Sequence, residues 1–517
     1  MEGLFDTESC LSYLQSIWEN DRWFCFSSFQ KTAMNCARFF SEAGLAQVEE
    51  LRLEADGKTL YGDWAVPKAW DAQSATLAIE GGMVLADYER TPCSLAMYSA
   101  PTPEGGASAK AVLADDPGAP ADGLAGKILF TSRPAAEMLP LAARCGAAGI
   151  VSDFMPLWPG VRASRKAAYG ASRWDNSFAV PANTSGMWAF SISPMNGDIL
   201  RGMLASGESV TLNAQVRARQ YDGTVSVVSA CLEGREPGAE ALICGHLYEP
   251  GANDNASGCA AILELARCMA YGVRTGALAR PRHAIRFALV YECAGSTAYA
   301  LAYPERMART IAAIVTDMIG ADVTENTLTY VWRDPLSNFS FADALIGDIC
   351  AAYGQCAGGA PPMAEKAFSV GTDNILGDPI WGVPTVALVA EPALSYHSSL
   401  DTPERIEPGA LSRNAVIAGT YLLRLANAGA GEAEALRRGA MARMDALVPA
   451  RSGFPASFLR EEMSRIILRS AGRFCSLAGA AGAGGNVGGA GLGGNAGGTD
   501  SSGNASAGGT DSSGNAS

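Results

Sequence analysis

Five side chains that could bind a metal ion lie at or beside the ends of predicted strands in the second half of the chain. They are His246 in the strand ALICGHL, Asp254 eight residues later, Glu292 after AIRFALVY, Asp317 after AAIVT and His397 beyond TVALVAE. Two imidazoles and three carboxylates form a ligand set for one divalent ion, or for two ions if a carboxylate bridges them. A single residue of this kind is more often a helix cap or a satisfied polar group. Five at matching positions favour a metal site.

The segment that carries these residues alternates apolar strands with helices. Between about residues 226 and 445, strands such as ALICGHL and AIRFALVYE are separated by helical segments, one of them over Ala256–Tyr271. This alternation is typical of a mainly parallel sheet that helices cover on both faces. Ligands of such sheets bind at the carboxyl ends of the strands. We therefore predict an α/β fold, with a mixed, mainly parallel sheet sandwiched by helices and the five candidate ligands at one sheet edge.

The composition excludes several other classes of protein. The chain has 39 Lys and Arg residues against 53 Asp and Glu residues, and its net charge of −14 argues against a nucleic-acid or anionic-membrane partner. No apolar run is long enough to span a bilayer, and the acidic start MEGLFDTES is unlike a signal peptide. The 13 scattered cysteines form no CxxC pair, which predicts a reduced, cytoplasmic protein. The sequence contains neither a phosphate-binding loop nor a G-x-S-x-G elbow, which argues against a nucleotide-binding enzyme and an α/β-hydrolase.

Four motifs around the candidate ligands resemble those of the bacterial di-zinc aminopeptidase family, which shares a superfamily with glutamate carboxypeptidase and transferrin receptor. The motifs are GHLYEPGANDNASG, YECAGS, VTDMIG and SYHSSLDTPERI, in this order over about residues 226–427. The resemblance implies that Asp254 bridges two zinc ions. His246 and Asp317 would complete one zinc site, and His397 with a glutamate would complete the other.

The chain departs from the family pattern at two positions. Tyr248 stands where the family has an aspartate that supports the first histidine, so Glu249 or a backbone oxygen would have to take that role. Tyr291 stands where the family has the first of two adjacent glutamates, one a general base and the other a zinc ligand. Glu292 alone can fill only one of these roles. If Glu292 is the base, the second zinc lacks a ligand and is weak or absent.

Four segments of different composition suggest the domain organisation. Residues 1–75 are predicted to form helices and strands that pack on the peptidase domain, which spans residues 226–477. Residues 76–225 are predicted to form an inserted β-rich domain, in which a helix ending in GAAGIV resembles the protease-associated domain of several peptidases. An unrelated α/β insert is the alternative. Residues 478–517, rich in Gly, Asn and Ser, are predicted to be a disordered tail.

Together these features predict a metal-dependent exopeptidase that acts on peptide substrates. An aminopeptidase is favoured, in which zinc-activated water hydrolyses the N-terminal peptide bond and Glu292 is the base if it is not a ligand. One alternative is another metal-dependent amidohydrolase or a carboxypeptidase, because an aminopeptidase needs a carboxylate near the metals to hold the free amine. The other is a catalytically inactive binding protein on a peptidase scaffold.

Overall fold

The structure, a computed structural model, describes residues 1, 3–175, 186–320, 326–358, 363–447 and 456–477. The predicted tail, residues 478–517, lies outside the described residues. The helices in this part of the chain are α1 (Thr7–Asp21), α2 (Phe26–Glu42), α3 (Ala135–Cys145), α4 (Pro194–Ala205), α5 (Ala256–Thr275), α6 (Ala294–Ala302), α7 (Pro304–Arg309), α8 (Phe341–Cys356), α9 (Pro408–Asn427), α10 (Ala430–Leu447) and α11 (Ala456–Leu477). The strands are β1 (Ala46–Ala55), β2 (Leu60–Tyr61), β3 (Trp64–Ala65), β4 (Ala69–Ile79), β5 (Val84–Asp87), β6 (Ala107–Leu113), β7 (Ile128–Thr131), β8 (Gly149–Ser152), β9 (Ala189–Ser191), β10 (Thr211–Tyr221), β11 (Gly223–Leu232), β12 (Glu240–Leu247), β13 (Ala284–Tyr291), β14 (Thr310–Asp317), β15 (Leu328–Trp332), β16 (Met363–Lys366) and β17 (Thr385–Glu391).

The apolar strands of the second half of the chain pair into a central eight-stranded sheet. Its order is β1-β11-β13-β12-β14-β17-β15-β16. The four middle strands, β13, β12, β14 and β17, run parallel, whereas β1, β11 and β15 pair antiparallel with their inner neighbours. Every residue of β12 and β14 is buried, because helices such as α5 and α9 pack on these strands. The predicted α/β fold with a mixed sheet is confirmed.

A second sheet of seven strands lies between residues 69 and 221, close to the 76–225 predicted for the insert. Its order is β5-β4-β10-β6-β7-β8-β9, in which β4 and β10 form a long antiparallel pair. Strands β6, β7, β8 and β9 run parallel, with α3 packed against β8 and β9. We call residues 69–221 the second-sheet segment.

Two further features bear on the predicted surroundings of the protein. No helix among the described residues is long and apolar enough to cross a membrane. All 13 cysteines lie in the described part of the chain as free thiols, and most of their side chains are buried in the core, where a thiol packs as a small apolar group.

A buried pair of aspartates joins β15, β17 and the start of α8. Asp334 accepts hydrogen bonds from the Thr385 amide and the Ser340 hydroxyl, both at 2.5 Å, and its own amide donates to Asp343. Burial raises the pKa of Asp343 to about 7. Burial and the neighbouring carboxyl group together raise the pKa of Asp334 well above its usual range. Burial therefore favours the neutral form of these two carboxyl groups.

The aspartate pair predicts a pH dependence of stability. A folded pKa above the unfolded value of about 3.9 stabilises the protein below about pH 4, and this contribution is lost as the pH rises through about 7. Because Asp343→Asn cannot ionise, its midpoint of thermal unfolding should rise relative to that of the wild type between pH 5 and pH 8. The exposed control Asp122→Asn should follow the wild type. Parallel curves for Asp343→Asn and the wild type would contradict the assignment.

Candidate metal centre

The structure brings the five predicted ligands together at the carboxyl edge of the central sheet. The Nε2 atom of His246 lies 3.5 Å from Oδ1 of Asp317 and 3.9 Å from Oδ1 of Asp254. The other oxygen of Asp254, Oδ2, lies 3.2 Å from Nε2 of His397. Asp254 thus stands between the two imidazoles with one oxygen toward each.

Glu292 joins the same cluster from the end of β13. One ligand atom each of His246, Glu292 and Asp317 lie within 4.8 Å of one another. One ligand atom each of His246, Asp254 and Glu249 also lie within 4.8 Å of one another. The sequence patterns did not select Glu249 as a ligand. The cluster opens into a cavity of about 160 Å³, lined by Trp158, Glu249, Asp254, Glu292, Asp317, Met318, Trp332, Gly371, Val389, Glu391, Pro392, Ala393, Tyr396 and His397.

The donor set fits divalent metal ions. Ligands bound to zinc at about 2.0–2.2 Å in tetrahedral geometry lie about 3.3–3.6 Å apart, which is close to the 3.5 Å and 3.2 Å separations around His246 and His397. Oδ1 of Asp317 is buried and has no hydrogen-bond partner among the described residues, so a cation would satisfy it. None of the described residues that line the cavity is Lys or Arg. The carboxylates therefore lack a basic side chain inside the cavity to balance their charge.

Burial changes the acidity of these carboxyl groups in the metal-free protein. Burial raises the pKa of Glu292 to about 8. Burial, followed by the charges of Asp254 and Glu292, raises the pKa of Glu249 well above its usual range. Burial also acts to raise the pKa of Asp254, but the hydrogen bond to His397, the charges of His397 and His246 and a hydrogen bond to Glu249 together outweigh it, and the pKa falls. A bound cation favours ionised carboxylates and would reverse the upward shifts.

Asp401 holds the loop that carries Asp254. Its carboxylate accepts hydrogen bonds from the amides of Asn253, at 2.7 Å, and Asp254, at 3.1 Å. A side chain at Gly251 would collide with this carboxylate and with the ring of Trp174, so the loop needs glycine there. The His397 loop, which contains Asp401, therefore fixes the position of the Asp254 carboxylate.

Asn255 then ties the start of α5 to the end of β14. Its side-chain oxygen accepts from the amides of Gly258, at 3.0 Å, and Met318, at 3.2 Å, and its amide group donates to the Thr316 carbonyl at 3.0 Å. Gly258 packs so closely on Thr316 that a Cβ atom would overlap the carbonyl oxygen. These contacts hold Asp254 and Asp317 on adjoining elements.

Four turns around the site contain non-glycine residues in the left-handed region. They are Tyr248 (φ +77°), Cys293 (φ +54°), Met318 (φ +54°) and His397 (φ +51°). Each is a site residue or lies within two residues of one. Residues other than glycine rarely adopt such φ angles unless the surrounding structure enforces them. Strained turns of this kind concentrate at functional sites.

Tyr248 does not support His246 as the family's aspartate would. Its hydroxyl donates to the carbonyl of Ser226 on β11 and accepts from the Ser226 amide at 2.8 Å. Nδ1 of His246 is left without a hydrogen-bond partner among the described residues. The neighbouring Glu249 instead contributes its carboxylate to the metal-binding face of the cluster.

Residues of the second-sheet segment pack on the His397 loop. The Trp174 amide donates to the carbonyl of His397 at 3.1 Å, and the two rings lie 4.7 Å apart. On the other side, the ring of Tyr396 stacks on His397 at 3.8 Å and meets Trp158 edge-on at 5.3 Å. Arg162, which is buried, donates to the carbonyls of Leu394 and Tyr396. One of the two imidazoles is thus positioned by residues outside the central sheet.

Asp373 supports the turn that follows Glu292. It is fully buried, and its Oδ1 atom accepts from the Cys293 amide at 2.9 Å. Because Cys293 has a positive φ, this hydrogen bond helps to hold an unfavourable turn. Asp373 lies behind the cluster and does not line the cavity.

The sequence around this site matches a known family. Residues 227–422 match the family model of peptidase family M28. The resemblance predicted from the four motifs is confirmed, and so is the prediction of a metal-dependent peptidase. The match does not extend to the second-sheet segment, so the resemblance of that segment to a protease-associated domain remains a prediction.

Solved structures share the fold of the M28 segment and of much of the rest of the chain. The zinc aminopeptidase BSAP from Bacillus subtilis aligns with a TM-score of 0.56 and 18% identity over 81% of this chain and 95% of that chain. An aminopeptidase from Aneurinibacillus sp. strain AM-1 aligns with a TM-score of 0.51 and 20% identity over 83% and 96%. A peptidase M28 precursor from Shewanella amazonensis aligns with a TM-score of 0.54 and 18% identity over 82% and 96%. No curated protein was found to match the sequence.

The contact between Gly258 and Thr316 gives a stability prediction. In Gly258→Ala the new methyl group would push α5 away from β14, at a cost of about 1–3 kcal/mol in the free energy of unfolding. Gly202→Ala is the matched control, because its Cβ on α4 would meet no atom within 4 Å, and alanine should stabilise that helix by about 0.5–1 kcal/mol. Urea unfolding measures both. Equal stabilities would show that the close approach at Gly258 is not required.

Proposed function

We propose that this protein is a zinc-dependent aminopeptidase. The observation that supports the proposal most strongly is the placement of Asp254, whose two carboxylate oxygens face one imidazole each. Such a carboxylate is suited to bridge two ions, and mixed imidazole and carboxylate donors suit zinc. His246 and Asp317 would hold one ion together with Asp254, and His397 would hold the other.

Hydrolysis would require a bound metal ion, a base for the attacking water and a wall for the substrate, and the chain has residues for each role. When bound, zinc supplies Lewis acidity that polarises the peptide carbonyl and lowers the pKa of water. Glu292 faces the cavity and would accept a proton from the attacking water and return it to the leaving amine, a step that contributes about 10²–10⁴-fold. Trp158, Trp332 and Tyr396 contribute aromatic side chains to the cavity wall, against which a substrate side chain could pack.

The charge of the cavity favours an aminopeptidase over a carboxypeptidase. Its described lining contains five acidic side chains, Glu249, Asp254, Glu292, Asp317 and Glu391, and no lysine or arginine. A peptide's ammonium group can donate hydrogen bonds to a lining carboxylate, whereas a terminal carboxylate would need an arginine or lysine to hold it. The structural neighbours named as aminopeptidases support the same choice.

We also propose the finer features predicted from the sequence. The partner is a peptide substrate, the peptidase domain spans residues 226–477, and residues 76–225 form an inserted domain against it. The 13 free cysteines support a reducing compartment such as the cytoplasm.

Metal removal and substrate blocking test the proposed activity. An aminoacyl anilide should be hydrolysed by the zinc-loaded protein, the rate should vanish after chelation, and added zinc should restore it. The N-acetylated anilide should react at least about 100-fold more slowly, because its terminus carries no charge for the acidic cavity. Equal hydrolysis of both anilides would indicate another amidohydrolase. A zinc-loaded protein that hydrolyses neither would indicate a binding protein.

Substitution of the bridging carboxylate tests the shared site. Because Asp254 faces both imidazoles, Asp254→Asn should lower zinc content from two ions to fewer than one per chain. Glu391→Gln is a suitable control, since Glu391 lines the same cavity but is paired with Lys366 at 2.7 Å and Trp332 at 3.0 Å. The control should keep its metal. Zinc content is measured by mass spectrometry, and loss of a single ion from Asp254→Asn would show that the carboxylate does not bridge.

A further inference from the structure

The motif that ends β13 supplies one glutamate where the aminopeptidase resemblance calls for two. Glu292 is preceded by Tyr291 and followed by Cys293, so no second carboxylate is adjacent in sequence. The ion held by Asp254 and His397 therefore has two protein ligands from the predicted set, one fewer than catalytic zinc sites normally have. A third ligand must come from elsewhere in the cavity or the site is weak.

The only other acidic side chain of the described cavity lining that joins the imidazole cluster is Glu249. Its carboxylate lies within 4.8 Å of ligand atoms of both Asp254 and His246. Glu292 groups with His246 and Asp317, so Glu249 is the glutamate that lies beside Asp254, whose Oδ2 faces His397. The remaining lining carboxylate, Glu391, is occupied by Lys366 and Trp332.

We propose that Glu249 is the missing metal ligand, completing the site of Asp254 and His397 and leaving Glu292 as the proton acceptor. This inference rests on the proposed function, because it assigns a ligand to the same pair of ions. The third ligand would then come from the segment after β12 and not from the residue that follows β13.

The turn after β12 is built to aim Glu249 at the cluster. Tyr248 adopts φ +77°, which reverses the chain direction immediately before Glu249. The Tyr248 hydroxyl is fixed to Ser226, and the buried carboxylate of Asp21, at the end of α1, lies near its backbone amide. Its ring meets Phe29 edge-on at 5.4 Å and lies 5.3 Å from Tyr291. Tyr248 therefore occupies the place of an acidic residue and anchors the next one.

The charges of the cluster agree with two bound ions. Glu249, Asp254, Glu292 and Asp317 carry four negative charges when ionised, and two divalent ions carry four positive charges. Two carboxylates as close as Glu249 and Asp254 repel each other when both carry charge, and a cation between them would offset that repulsion. The unpartnered, buried Oδ1 of Asp317 is a separate sign that a cation completes this cluster.

Zinc stoichiometry of the full-length chain tests the proposal without reference to activity. The wild type, Glu249→Gln, Glu292→Gln and the control Glu391→Gln are dialysed against buffered zinc, and zinc per chain is measured by mass spectrometry. We expect two ions in the wild type, in Glu292→Gln and in the control, and one ion in Glu249→Gln. Competition with a chelating dye should show that the second ion binds Glu249→Gln at least roughly 100-fold more weakly. Circular dichroism checks that each variant is folded.

Three results would overturn the inference while leaving the aminopeptidase intact. Glu249→Gln could keep two ions and show only a raised KM for the free-amine anilide, which would make Glu249 an amine anchor. Glu292→Gln could lose an ion, which would make Glu292 the ligand. The wild type could hold one ion only, so that no second site exists. A wild type that binds no zinc would instead overturn the proposed function together with the inference.

Discussion

The main constraint on this structure is the repulsion between carboxylates that are buried close together at the candidate site. Glu249, Asp254, Glu292, Asp317 and Asp373 gather around two imidazoles at one sheet edge, and no lysine or arginine lines the cavity among the described residues. Burying like charges together costs several kcal/mol unless cations or protons compensate them. The surrounding fold must therefore hold these groups in place by other contacts until a cation arrives, and most of the unusual backbone of the molecule serves this purpose.

The contacts that hold these carboxylates in place are hydrogen bonds from backbone amides to polar side chains of segments that are distant in sequence. Asp401 binds the amides before Asp254, Asp373 binds the amide after Glu292, and Asn255 binds the amide after Asp317. In each case a polar side chain from one loop fixes the turn that follows or precedes a ligand on another. These buried amides would otherwise lack partners, so the same hydrogen bonds that position the ligands also remove an unsatisfied polar group. The positive φ angles at Cys293 and Met318 persist because these bonds enforce them.

The sequence predicts the part of this site that follows from sheet geometry. His246, Glu292 and Asp317 could be selected because each lies at the end of an apolar run, and parallel strands place such ends side by side. Glu249 could not be selected in this way, since it lies in a short turn whose direction depends on Tyr248. That direction is set by contacts with Asp21, Phe29 and Ser226, which lie in α1, α2 and β11. No local pattern reports such long-range contacts, although an acidic residue three positions after a ligand histidine was a usable signal.

Residues 227–422, which carry the family match, do not hold the candidate site together by themselves. His397 reaches Asp254 from a loop whose backbone is held by Arg162 and Trp174, both in the second-sheet segment. Glu249 is aimed by a tyrosine that is anchored to α1 and α2, near the start of the chain. The two residues assigned here to the second ion thus depend on parts outside the matched segment, whereas His246 and Asp317 sit directly on fully buried strands of the sheet. Because a rigid strand holds its end residues more tightly than a supported loop does, the site proposed for the first ion is fixed by the sheet, whereas the site proposed for the second depends on contacts between different parts of the chain.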